Sequence, residues 1–535
     1  MSEEAPVPAR LLHEDPVIFG RRWFLLGIMC LSLVMVVMSV AGLNVAIPNL
    51  QTDLKATASE LQWIIDAYAL VFAALLLPAG ALGDRFGRKR ALLLGLVIFA
   101  FGSVVGGLGT AAPQIIVGRV INGIGAAFIM PATLSLITTI FPPEERSKAI
   151  AMWAGFAGAG GALGPIVSGG LLERYWWGSA FLVNVPVVLA VVVAVAVFSP
   201  TSKDPDSTPL DPVGALLSLV GLASLVFGII EGPERGWSHA SVLLAFALAA
   251  VTLAGFVTWE RRSAHPMLPL AFFRDRRMSV GSGVVTVAFF VMFGLFFLFS
   301  FYVQFVRNYS PLSAGLATLP LAVALVAVAP RSAALAARLG SGPVMAGGFL
   351  FVAAGFGVLS FIGRTTPYLV LVVALVLLGV GMSLTAAPAT GSIMSAVPHA
   401  KAGVGSAVND TTREVGGALG IAVLGSLSSA VYRSSVDLGS LPLPPPVRAA
   451  AEESVGAATF IASKLPEGGD VLAARAGDAF THAFNTTSRV AAGVALAAAI
   501  VVARVFSRSS ELAAAGHIPD PSTPPIPVEL APEAP

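Results

Sequence analysis

The sequence predicts an all-α polytopic membrane protein, and three observations carry that prediction. Of its 535 residues, 56% are hydrophobic and only 12% charged, about half the charged share of an ordinary soluble domain. Apolar windows of about 18–25 residues recur along the chain, each long enough at 1.5 Å per residue to cross a ~30 Å hydrocarbon layer. The windows are continuous rather than alternating over ~10 residues, so helices and not barrel strands satisfy the backbone groups in lipid.

The pattern gives about fourteen spans, at 23–47, 61–82, 91–110, 114–138, 150–171, 179–199, 213–230, 241–259, 279–303, 311–330, 343–362, 367–388, 402–428 and 487–506. The first is too long for a signal-peptide core and lacks a small-residue cleavage site, so it is expected to stay in the protein. Loops after the even-numbered spans hold most basic residues. They include Arg85, Arg88, Lys89 and Arg90, then Arg146, Lys148 and Lys203, and later Arg261, Arg262, Arg274, Arg276 and Arg277. Arg331, Arg338 and Lys401 continue that side, whereas the opposite short loops hold only Lys55, Arg174, Arg235, Arg307 and Arg364. The positive-inside rule therefore places both termini in the cytoplasm; the expected setting is a bacterial-type inner (plasma) membrane.

Residues 1–22 form a short cytoplasmic N-terminal segment, and 509–535 a Pro-rich tail expected to be disordered. Between spans 13 and 14 lies a long outer loop, about 432–483, with Pro442, Pro444, Pro445 and Pro446 followed by Ala-rich stretches suited to surface helices. Pro78 before Arg85-Phe86-Gly87 is echoed by Pro330 before Arg338-Leu339-Gly340. Repeated halves are a building plan of transporters, with the substrate site between them. The echo divides the chain into a first half at 23–199, an inserted pair of spans at 200–277 and a second half at 278–508.

The net charge of +2 forms no nucleic-acid-sized patch, and nucleic acid is not an expected partner. Cys30 is the one cysteine, which rules out a disulfide framework, and the six histidines are scattered, so no metal or cofactor site is expected. The chain carries no G-x-x-x-x-G-K-[ST] loop for ATP and no H-E-x-x-H or G-x-S-x-G motif. An enzyme is not expected.

The loop between spans 2 and 3 reads Gly80-Ala-Leu-Gly83-Asp84-Arg85-Phe-Gly87-Arg88-Lys-Arg. Gly80 and Gly83 permit close helix contact, Gly87 allows a tight turn, and Asp84 can pair with Arg85 or Arg88 or cap the following helix. Such a cluster either clamps the cytoplasmic face in one conformation or anchors it by charge.

This stretch resembles the signature loop of the major facilitator superfamily, G-x-L-a-D-r-x-G-r-k. Span 4 has Arg119-Val-Ile-Asn122-Gly123-Ile-Gly125, similar to the family's R-x-x-q-G-x-g, and span 5 has Gly160 to Gly164-Pro165 and Gly169-Gly170, similar to its antiporter motif. Span 1 ends Asn44-Val-Ala-Ile-Pro48, like the close of l-D-x-T-v-v-N-v-A-l-P, with Ser39 where an aspartate is usual. The set resembles the fourteen-span drug:proton antiporter branch of that superfamily. The resemblance implies a major facilitator fold of two six-helix halves plus two extra central spans, working by alternating access as a monomer. It implies export of a small lipophilic or cationic molecule in exchange for protons; export of an endogenous lipid, peptide or secondary metabolite, or a transport-inactive sensor or assembly role, are the alternatives.

Charges inside spans cost a few kcal/mol each unless paired or hydrated, and so mark candidate sites. Asp66 lies some five residues into span 2 from the outer side and Arg119 at a similar depth in span 4, forming either a proton site in place of the missing span 1 acid or a static salt bridge. Span 13 holds Asn409-Asp410-Thr-Thr-Arg413-Glu414. Asp410 sits roughly 13 Å and Glu414 roughly 19 Å into the span, on one face at i,i+4, with Arg413 in reach of Asp410. Glu414 is the candidate proton carrier, against a structural Asp410–Arg413 pair with a hydrated Glu414.

Gly164-Pro165 frees a backbone carbonyl and bends span 5, which suits rocking. Phe289, Phe290, Phe293, Phe296, Phe297, Phe299, Phe301 and Tyr302 crowd span 9, where packing against lipid is the expected role and an inward face would suit a flat lipophilic cation. Ser39, Asn44, Tyr302 and Gln304 complete the candidate cavity residues.

Overall fold

The computed structural model describes residues 14–54, 58–202, 211–398, 401–439, 441, 443–465 and 468–505. Part of the N-terminal segment, Lys55, Lys203, Pro442 and the Pro-rich tail lie outside the described residues.

Helices α1 (Pro16–Leu54), α2 (Ala58–Phe86), α3 (Arg88–Gly107), α4 (Ala112–Ile140) and α5 (Pro143–Leu172) come first, followed by the broken pair α6 (Ser179–Leu182) and α7 (Asn184–Phe198). A hairpin of α8 (Pro212–Arg235) and α9 (Ala240–Glu260) leads to α10 (Arg276–Phe301), which ends in a π-turn at Tyr302–Val306. Then come α11 (Pro311–Ala317), α12 (Leu319–Leu339), α13 (Ser341–Leu359), α14 (Tyr368–Ser395) and α15 (Ala402–Ser435). Last are the short α16 (Pro445–Glu453) and α17 (Val455–Ala462) and the long α18 (Gly469–Val505). Among the described residues, fourteen helical segments are long and apolar enough to cross a membrane, and the chain is all-helical.

Local chemistry sets many boundaries. Asp211 Oδ1 accepts from the Gly214 N–H at 2.8 Å at the start of α8, and Asp275 Oδ1 from Arg277 at 2.7 Å at the start of α10. Pro143, Pro212 and Pro445 occupy first turns, where the missing N–H costs nothing. Gly87 (φ 110°) joins α2 to α3 and Gly340 (φ 86°) joins α12 to α13. Both turns use a positive φ that a side chain would strain, so the motif echo between 78–87 and 330–340 has the same backbone solution at both places.

Two apolar cores share the interior. The first gathers buried side chains of α1 to α5 and α7 with Met394 of α14 and Ala402 of α15, and the second those of α10 to α18 with Leu77 of α2 and Leu222 and Phe256 of the α8–α9 hairpin. An even number of crossings puts the beginning of α1 and the end of α18 on one face, called here the terminal face; the opposite one is the far face. The outer loop is shorter than its sequence pattern indicates, because α15 continues to Ser435 and α18 already begins at Gly469. Between them α16 and α17 form a packed cap: Ala451, Val455 and Ala458 are buried against Leu472 and Ala476, and Tyr432 donates to the Ala451 carbonyl at 2.8 Å.

Candidate functional site

The terminal face is closed by small residues. A Cβ on Gly80 would sit 2.6 Å from the Gly403 carbonyl oxygen, so α2 and α15 touch backbone to backbone. Beside this contact Asp84, 2% exposed, accepts from the N–H of Gly403 at 2.9 Å and of Val404 at 3.2 Å. These are first-turn donors of α15 with no intrahelical acceptor, and the helix dipole favours a negative charge there. Asp84 thus caps α15, a helix from the far end of the chain; of the alternatives the spacing offers, a cap on α3 is not formed, and Gly87 at the start of α3 has no side-chain cap. The Asp84 pairing with Arg88 is present at 2.9 Å, and Arg88 also donates to Ser202 Oγ at 3.0 Å. Arg85 points elsewhere, over its neighbour Phe86 at 5.5 Å. Gly83 approaches Ala91 of α3 instead, so of the two glycines Gly80 is the one that meets α15.

Across the molecule α5 meets α12. A Cβ on Gly155 would lie 2.8 Å from Ala329 Cβ, and Ala151, Ala333 and Ala387 pack together nearby. Gly164 abuts α1, its Cβ position 2.6 Å from the Gly42 nitrogen, while Pro165 borders the central cavity.

Above this closed region lies a cavity of about 1390 Å³. Its deep end is bordered by Asp66 and Tyr68 of α2, Met130 of α4, and Arg413 and Glu414 of α15. Its lining continues to Arg235, Trp237, Arg433 and Glu453 at the far-face ends of α8, α15 and α16. One wall is aromatic: Phe289, Phe293, Phe296, Phe297, Phe299 and Phe301 of α10 all border the cavity. This corrects the expectation that these rings pack against lipid. The π-turn that ends α10 continues the row with Phe305, and Phe480 of α18 stacks on Phe301 at 6.3 Å.

The candidate acids separate by depth. Glu414 borders the cavity and makes no hydrogen bond or ion pair among the described residues. Asp410 is 0% exposed and lies off the lining; its Oδ1 accepts from Asn409 at 3.2 Å and pairs with Arg413 at 3.4 Å. Arg413 is held between two rings, 4.5 Å from the Phe289 centroid and 5.6 Å from that of Trp153 on α5. It therefore bridges helices of both cores at the cavity floor. Asp66 borders the cavity, but Arg119 does not hydrogen-bond to it: Arg119 Nε donates to the Ile64 carbonyl at 3.0 Å, and the Asp66 carboxylate acts on it electrostatically.

Two expected cavity residues are elsewhere. Ser39 is buried on the opposite side of α1 from Val37 and Ala41, which do line the cavity, because two residues along a helix turn a side chain through about 200°. Tyr302 points away into the core, donating to the Gly363 carbonyl at 2.7 Å and stacking on Phe484 at 5.4 Å. Gln304 does line the cavity, and donates to Ser300 Oγ at 2.7 Å. The Asn44 side chain lies outside the described residues.

Sequence reasoning missed Tyr68, Trp153, the α8 wall and the cap residue Glu453. Tyr68 had a visible signal, a phenol two residues from Asp66 inside a span. The others depend on which helices become neighbours, which no local pattern states.

The profile of the Major Facilitator Superfamily matches residues 29–421. The multidrug efflux pump LfrA of Mycolicibacterium smegmatis is 36% identical over 91% of this chain and 97% of its own length. The tetracenomycin C resistance and export protein of Streptomyces glaucescens is 33% identical over 92% and 93%, and the methyl viologen resistance protein SmvA of Salmonella typhimurium is 34% identical over 88% and 94%. In fold, the human organic anion transporter MFSD10 (TETRAN) superposes with a TM-score of 0.57 at 15% identity, covering 90% of this chain and 99% of that one. A multi-pass helical membrane protein with these relatives is a transporter and not an enzyme, and the chain belongs to the Major Facilitator Superfamily.

Proposed function

We propose that this chain exports lipophilic or cationic drugs in exchange for protons, by alternating access between two six-helix halves. The observation that carries the reading is the cavity, with Glu414 and Asp66 at its deep end, an aromatic wall, and closure toward the terminal face through Asp84 and α15. A flat cation would lie on the α10 rings while its charge meets a carboxylate, and protonation of that carboxylate would release it. The relatives named for methyl viologen resistance and for multidrug efflux support this substrate class.

In this reading the terminal face is cytoplasmic, the membrane is a bacterial plasma membrane, the protein works as a monomer, and 23–199 and 278–508 are the halves that rock. The α8–α9 hairpin then walls the cavity without belonging to either half. A second reading, export of an endogenous amphiphile, is favoured by size, since about 1390 Å³ exceeds the range of about 300–1,000 Å³ usual for drug-sized pockets.

The test is reconstitution of the full chain into proteoliposomes loaded with ethidium, with and without an imposed pH gradient. Gradient-dependent ethidium movement with opposed proton movement is expected. Movement that ignores the gradient would overturn coupling, and absence of ethidium movement alongside transport of a lipid would favour the second reading.

A further inference from the structure

Three polar groups meet where α2 packs against α4 and α15, and their hydrogen bonds are incomplete. Arg119, 0% exposed, uses Nε on the Ile64 carbonyl, while its Nη1 and Nη2 have no partner. Its guanidinium lies 4.4 Å from the Tyr68 ring centroid, so the ring face and not a paired carboxylate seats the charge. The Tyr68 hydroxyl is itself buried without a partner. Tyr68 and Glu414 border the same cavity from opposite helices, and the Glu414 carboxylate interacts electrostatically with the phenol.

Buried polar groups are nearly always paired, and each exception calls for a reason. Here an unpartnered donor on α2 and an unpartnered acceptor on α15 border one cavity and lie near enough to interact electrostatically. The charged and titratable groups around Tyr68 are Arg119 from α4, Glu414 and Arg413 from α15, and Asp66 on its own helix.

We infer that Tyr68 is a positioning residue for proton coupling: its ring holds Arg119 in place, and its hydroxyl is the donor that receives the Glu414 carboxylate when Glu414 is ionised. The inference rests on the coupling reading above. The exchanged proton belongs to Glu414, and the phenol keeps its own throughout. With Glu414 protonated or covered by a cationic substrate the hydroxyl stands free, as in this conformation. Once the substrate leaves and Glu414 ionises, the hydroxyl donates to it and sets the pH at which the carboxyl reloads.

The test uses the full chain with Tyr68→Phe, which keeps the ring, and Tyr68→Leu, which removes it. For Tyr68→Phe, the melting temperature is expected to match wild type, since the hydroxyl has no partner to lose. Substrate-driven proton release should fall about tenfold at the wild-type optimum, the equivalent of one hydrogen bond to a charged group, and its pH profile should shift. Tyr68→Leu should in addition lower the melting temperature, because Arg119 loses its seat. A Tyr68→Phe protein with the wild-type profile overturns the inference and leaves the coupling reading standing. Loss of ethidium binding in Tyr68→Phe overturns it in favour of direct substrate contact. A wild type without substrate-driven proton movement overturns the coupling reading and this inference together.

Discussion

The carboxylate of Asp84 accepts a hydrogen bond at 2.9 Å from the backbone N–H of Gly403, a residue 319 positions further along the chain. It joins α2 to α15 across the closed terminal face, so an opening that separates these two helices must break it. Asn in place of Asp84 keeps an acceptor but loses the charge that the α15 dipole and Arg88 both favour, a loss of about 1–2 kcal/mol. Asp84→Asn should therefore slow transport about tenfold while ethidium binds to purified protein within twofold of wild type. Loss of binding would contradict the assignment of Asp84 to the conformational step.

The same closure depends on Gly80, whose added Cβ would meet the Gly403 carbonyl oxygen at 2.6 Å. Backbone cannot yield there as a flexible side chain would, so Gly80→Val should hold α2 and α15 apart. The native Cys30 is buried at 4% exposure, which makes an introduced cysteine easy to read. An Ala386→Cys probe in the cavity wall should react with an impermeant maleimide from the terminal face much faster in the Gly80→Val background. Equal labelling rates in both backgrounds would show that this contact does not set the closure.

Glu414 and Asp66 stand on opposite helices at the deep end of the cavity, which separates their roles experimentally. Glu414→Gln should abolish proton release on substrate addition and leave substrate exchange in place, since the amide keeps the shape but cannot titrate. Asp66→Asn should weaken binding of divalent cations more than monovalent ones, because one of two carboxylates remains. Proton release measured with a pH dye in proteoliposomes decides the first, and competition binding the second; unchanged coupling in both variants would remove both residues from the mechanism.

Much of this was legible in the sequence, and the reason is the bilayer. A span must be about 20 apolar residues long, so the helices appear in the hydropathy, and a charge inside one is costly enough to stand out. Asp66, Arg119, Asp410, Arg413 and Glu414 were visible on that ground, and Asp84 by the glycine and charge pattern of its loop. What a charge pairs with was not legible, because helix neighbours are chosen in three dimensions. Asp84 pairs with Arg88, one of the expected options, but also caps α15, which no local pattern indicates, and Arg119 rests on Tyr68 instead of pairing with Asp66. Rotation about the helix axis was equally hidden: α10 is aromatic on most of its circumference, so its pattern did not say which rings face the cavity. In α1 the same ambiguity put Ser39 on the wrong side.

Arg413 sits between Phe289 and Trp153 with Asp410 as its ion partner. A point charge on a flexible stem stacks less well than a planar guanidinium, so Arg413→Lys should cost about 1–2 kcal/mol of stability. Arg413→Met leaves the fully buried Asp410 without a counter-charge and should cost about 3–5 kcal/mol. Adding Asp410→Asn to Arg413→Met should recover part of that loss. Thermal or denaturant unfolding of wild type, Arg413→Met, Asp410→Asn and the double variant closes the cycle, and strictly additive losses would mean that the pair is not coupled.

A buried hydrogen bond, from Tyr432 at the end of α15 to the Ala451 carbonyl in α16, ties down the cap over the far face. Glu453, at the end of that helix, borders the cavity, so the position of α16 sets the position of a carboxylate at the mouth. Tyr432→Phe removes the bond with little change in volume and should loosen the cap by about 1 kcal/mol, speeding amide exchange in α16 roughly fivefold while α10 and α14 exchange as before. If the cap governs passage at the mouth, the same variant should also alter the rate of ethidium release while its equilibrium affinity is kept. Faster exchange with unchanged release would leave the cap as packing on the second core; unchanged exchange would mean that the apolar contacts of Val455, Ala458, Leu472 and Ala476 hold it without Tyr432.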